Sequence, residues 1–136
     1  AGLILRIVLG ITMLSAVADR FGVWGAPGSH AVAWGNWENF VIYTQSLNSF
    51  ANRATAEVLA GIATFFEVVL SLLLLFGFKT RLAALGTAFL MFFFAFAMSV
   101  SISVKAPLDY SVWTSCAAAL LLANIGKTSY AVDNRI

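Results

Sequence analysis

Residues 58–78 read VLAGIATFFEVVLSLLLLFGF, twenty-one positions with a single charge, Glu67. A bilayer's hydrocarbon core, about 30 Å thick, is crossed by roughly 20 predominantly apolar helical residues, so the stretch reads as a membrane span. Toward the C-terminus, LAALGTAFLMFFFAFAMSVSISV (82–104) and YSVWTSCAAALLLANIG (110–126) carry no charge, the second being at the short limit for a span. Toward the N-terminus, GLILRIVLGITMLSAVADRFGV (2–23) is apolar but holds Arg6, Asp19 and Arg20. Arginine near a helix end snorkels to the headgroups. Arg6 is therefore expected at one interface, and Asp19 with Arg20 at the other. Ala16-Val17-Ala18 also fits the cleavage pattern of a signal peptide, and the expectation is nevertheless a retained helix. The predicted fold is an all-α membrane protein, a four-transmembrane-helix bundle in a single domain over residues 1–136. Its helices are placed at about 2–23, 57–78, 82–104 and 110–126.

Composition gives the same class. Hydrophobic residues make up 61% of the chain and charged residues 10%, against about 25% charged in soluble domains. Mean hydropathy is +0.91. A chain this short leaves much of its surface exposed, and the polar residues to cover that surface in water are missing, so lipid is the expected solvent. The net charge of +2 gives no reason to expect a nucleic-acid partner. One cysteine, Cys116, rules out an intrachain disulfide relay. One histidine, His30, cannot supply two axial haem ligands or a multi-histidine metal site from this chain.

Arg6, Lys79, Arg81 and Lys127 fall in short segments on one side of a four-span arrangement. Arg53 and Lys105 fall on the other, offset by Glu38, Glu57 and Asp109. The excess of basic residues predicts both termini in the cytoplasm. The long outer connection has structure of its own. Gly25, Pro27 and Gly28 break the first helix. In WGNWENFVIYTQSLNSF (34–50), Trp37, Phe40, Val41, Thr44, Leu47 and Phe50 then recur at three- and four-residue steps. We expect an amphipathic interfacial helix within 24–53, between the first two spans, with Trp24, Trp34 and Trp37 at headgroup level. A packed surface loop is the alternative.

Glu67 is the strongest candidate for chemistry. A mid-span carboxyl is costly and too short to snorkel, so it faces the interior, pairs with a cation or stays protonated. Protonated, it can carry a proton or donate to a quinone or other carbonyl. The bland reading is a hydrogen bond to a neighbouring helix, and the two readings weigh evenly. Thr12, Ser15 and Asp19 share one helix face and can meet Glu67 in a polar cavity open to the outer side. Ordinary interhelical hydrogen bonding accounts for Thr12 and Ser15 more simply. Asp19 and Arg20, adjacent in sequence, point to different faces and can alternatively pair with Lys105 and Asp109. Ser111 and Ser115 are four residues apart, with Thr114 beside them. Cys116 reads as a packing residue. Phe89, Phe92, Phe93, Phe94 and Phe96 point all round their helix, so most face lipid or a partner. Packing accounts for them better than an aromatic wall for a quinone. No phosphate loop, HExxH, CxxC or nucleophile elbow is present.

FFEVVLSLLLLFGFKTRLAALG (65–86) and LRIVLGITMLSAVADRFGVWG (5–25) resemble the second-to-third and the first helix signatures of the DoxX family. The shared features are a glutamate before an apolar run, a Gly, a short Thr-Arg turn, and an early Arg with an LG step. The long WGNWENF loop would set the chain in a subgroup. The resemblance implies a four-helix protein of the bacterial inner membrane, related to the membrane subunit of thiosulfate:quinone oxidoreductase and to members linked to sulfur metabolism and thiol or oxidative stress. Glu67 and Arg81 match its motif positions. The leading expectation is a membrane subunit of a redox system. Glu67, Asp19 and Arg20 would be its working groups, Thr12, Ser15, Ser111 and Ser115 would line a quinone site, and the chain would have no intrinsic cofactor. The lipid bilayer and other membrane subunits would be its partners. The alternative is a non-catalytic accessory subunit packing against a larger membrane complex. A solute or lipid carrier with the surface helix as a lid ranks below both, because no span shows paired interior breaks.

Overall fold

A computed structural model describes residues 2–29, 32–47, 52–101, 105 and 112–125. The described structure is all-helical, with five helices: α1 (Gly2–Arg20), α2 (Trp37–Leu47), α3 (Arg53–Phe76), α4 (Thr80–Ser101) and α5 (Val112–Ile125). Helices α1, α3 and α4 are long and apolar enough to cross a membrane. The described part of α5 is shorter and equally apolar.

Local chemistry sets the helix ends. α1 stops at Arg20 rather than continuing to residue 23, because Gly22 takes a left-handed conformation (φ 79°). The Gly22 N–H donates to Asp19 O and the Val23 N–H to Ala18 O, which closes a Schellman motif. α3 begins at Arg53, earlier than the expected 57, because the Asn52 side chain caps it by accepting from the Thr55 N–H. Arg53, expected in the loop, is therefore helical. The same helix ends on a second Schellman motif at Gly77 (φ 71°). Lys79, at φ 48°, completes a tight turn into α4, which starts at Thr80 rather than 82. The final residues of the expected third span (102–104), and residues 110, 111 and 126 of the fourth, lie outside the described residues.

α1 packs chiefly against α3, and α4 against α5. The four converge on one core: Leu9 and Met13 from α1, Leu74 from α3, small residues Ala83, Ala84 and Ala88 from α4, and Cys116, Ala119 and Leu122 from α5. Small residues let helices approach closely where lipid offers no hydrophobic drive between them. Gly10 shows the same on α1, since a Cβ there would lie 2.7 Å from Leu75 Cγ and 3.2 Å from Ser71 O. Conversely, Phe89, Phe92, Phe93 and Phe96 of α4 and Phe65 and Phe66 of α3 point outward and are exposed. An outward face this apolar belongs against lipid, and the protein is a multi-pass membrane protein.

The predicted amphipathic helix is α2, and its apolar face is the one the periodicity marked. Phe40, Val41, Thr44 and Leu47 are buried, while Phe50 lies outside the described residues. Phe40 and Val41 pack on Ala56 and Ala60 of α3, and Leu47 on Met98 of α4. α2 thus lies across the end of the bundle where α1 stops, α3 begins and α4 stops.

Candidate functional site

At that end of the bundle lies a buried ion pair. Arg20, the last residue of α1, pairs through Nη1 with Glu67 Oε2 of α3, and the residues are 2% and 3% exposed. Side chains on a helix lean toward its N-terminus, so Arg20 points back into the bundle instead of out to the headgroups. Arg20 Nη1 also donates to Thr64 Oγ1 (2.8 Å). The faces of two aromatic rings cover the guanidinium, with its Cζ 3.8 Å from the Phe40 centroid and 5.3 Å from that of Trp34. Among the described residues, no acceptor reaches Arg20 Nε. Glu67 also anchors its own helix, as its backbone carbonyl accepts from Ser71 Oγ.

Asp19 turns the other way and does a different job. Its carboxylate accepts three backbone N–H groups, from Ala33 (2.8 Å), Trp34 (3.0 Å) and Gly35 (2.9 Å). Gly35 is required at this point: φ is +79° and a Cβ would lie 2.6 Å from Pro27 N. Asn39 Nδ2 donates to Trp34 O (2.8 Å), which ties the same loop to α2. The adjacent residues Asp19 and Arg20 therefore act in series. The first pins the segment that carries Trp34, and the second lies beneath that ring.

Beside the ion pair opens a cavity of about 900 Å³. Arg20 and Glu67 are its charged lining groups; Thr12, Tyr43, Ser46 and Ser115 add hydroxyls; Trp34, Phe40, Phe94, Met13, Met91 and Met98 form apolar walls. A smaller space of about 480 Å³ adjoins it, lined by Ser15, Asp19, Trp24 and again by Thr12, Ala16, Ala33 and Trp34. Thr12, Ser15 and Asp19 thus do border cavities, but only Thr12 shares the one that holds Glu67. Ser111 lies outside the described residues.

Two expectations are corrected. Arg6 does not snorkel to an interface: it is fully buried and donates from Nη1 to Leu74 O (3.0 Å). It thereby serves the carbonyl-rich C-terminal turn of α3, where a cation is favoured. The alternative pairing of Asp19 and Arg20 with Lys105 and Asp109 is replaced by the partners above, and Asp109 lies outside the described residues. Arg81, matched by motif, is exposed in the first turn of α4, the end of that helix away from the ion pair. Sequence reasoning missed Thr64, Trp34 and Phe40 as Arg20's neighbours. The signal for Thr64 was present, since it lies one helical turn before Glu67 on the same face.

The family model for DoxX matches residues 1–100. No curated protein and no solved structure matches the chain.

Proposed function

This chain belongs to the DoxX family, and we propose that it serves as the quinone-binding membrane subunit of a redox system. The observation that carries this reading is the cavity of about 900 Å³ at the Arg20–Glu67 pair. Its size suits a small organic ligand, and it has the usual make-up of such sites, apolar and aromatic walls with a few convergent polar groups. A quinone bound there would supply two-electron, two-proton chemistry, with electrons drawn from a partner subunit. Arg20 would donate to a ring oxygen, Trp34 and Phe40 would cover the ring, and Glu67 would pass a proton. Thr12, with Ser15 and Asp19 beyond it, would line the approach.

The topology that goes with this reading has four spans (α1, α3, α4, α5) in the bacterial inner membrane, with both termini cytoplasmic. α2 then lies at the outer interface as a roof. Basic Lys79 and Arg81 at the α3–α4 turn support that orientation.

Glu67→Gln keeps a hydrogen-bonding side chain but removes the titrating group. Quinone-linked turnover of the purified native complex should fall by about 100-fold, the scale of a lost acid–base group, with assembly intact. Unchanged turnover together with lost assembly would instead support an accessory subunit, for which the outward phenylalanines of α4 offer a packing face.

A further inference from the structure

Resting on the reading of this cavity as a ligand site, we propose that Glu67 is a charge filter: by cancelling Arg20, it restricts the cavity to neutral, carbonyl-bearing amphiphiles and excludes fatty-acid-like anions. The cavity would otherwise be built for an anion. It is mostly apolar, holds one guanidinium, and that guanidinium has an Nε–H with no acceptor among the described residues. A buried cation in such walls attracts a carboxylate head with an apolar tail. Glu67 already occupies that role on Arg20 Nη1, and among the described residues no other charged side chain lines the cavity. An entering anion would have to displace a carboxylate held on its own helix, or sit beside it as a like charge. A neutral carbonyl oxygen meets neither obstacle. Met13, Met91 and Met98 along the apolar wall suit a tail of variable shape, since methionine repacks easily.

The test compares two probes sharing a tail and differing in head, a decyl-benzoquinone and ionised decanoate. Each is measured by direct binding to the purified full chain in phosphatidylcholine nanodiscs. The native protein should prefer the quinone. Glu67→Gln should gain decanoate affinity by at least about tenfold, the low end for uncovering a buried charge. Arg20→Gln/Glu67→Gln should lose that gain. If Glu67→Gln folds and binds decanoate no better than the native chain, the filter is wrong. If Glu67→Gln does not fold, Glu67→Asp, which draws the carboxylate back by one methylene, takes its place. A gain of about threefold is then expected, and none overturns the proposal. Decanoate binding to Glu67→Gln, with no quinone binding to the native chain, would leave the filter standing and sink the quinone reading.

Discussion

Asp19 and Arg20 share a helix end but turn to different partners, a loop backbone and the Glu67 carboxylate. A buried pair is stable only while both charges are present, and removing one strands the other. Glu67→Ala should therefore destabilise the protein by about 3–5 kcal/mol. Arg20→Met/Glu67→Met, which removes both charges in favour of apolar side chains, should lie much closer to native stability. Reversible unfolding in detergent measures the cycle, and additive costs would contradict the pairing. Asp19→Ala releases three backbone donors at Ala33, Trp34 and Gly35. It should make the segment between Trp24 and Trp34 cleavable by protease while the helices persist; native resistance there would count against the pinning role. At this scale the sequence showed that Glu67 needed an accommodation, because the cost of a mid-span carboxyl depends on depth alone. It did not show that Arg20 supplies it, since that depends on where α1 stops and which way its last side chain leans.

Helix ends and close approaches decide the elements. Gly22 ends α1 three residues short of the expected point, which leaves Arg20 as its last residue. Asn52 starts α3 early and lengthens the segment that α2 covers. Gly10→Leu drives a side chain into Leu75 and Ser71 O and should cost at least about 1–3 kcal/mol as overpacking, read as a lowered Tm in detergent. Phe40→Ala removes the ring over Arg20 and a contact with Ala56 and Ala60, and should cost about 3 kcal/mol. If Tm does not fall, α2 is not packed as described. The amphipathic period of α2 and the apolar runs of α1, α3 and α4 were legible in the residues. The caps at Gly22, Asn52 and Gly77 were not marked by that pattern, since the apolar runs pass straight through both glycines.

The whole molecule is a bundle with one roofed end. If four spans put both termini in the cytoplasm, a cysteine at Glu38 on α2 reacts with an impermeant maleimide in intact cells. One at Lys79 then reacts only after permeabilisation, with Cys116 buried and silent in both. Reversed labelling would invert the topology. The sequence by itself determined that this is a helical membrane protein with a costly carboxyl in one span, because transfer free energy accumulates residue by residue and needs no knowledge of neighbours. It also marked the face of α2 that is buried, since period alone sets which residues share a side. Only the tertiary structure decided that Arg20 meets Glu67, that Asp19 holds a loop instead of lining the same cavity, and that Arg6 serves the end of α3. Each of those pairings joins residues far apart in the chain, and their distance is fixed by helix ends, side-chain lean and lateral packing together.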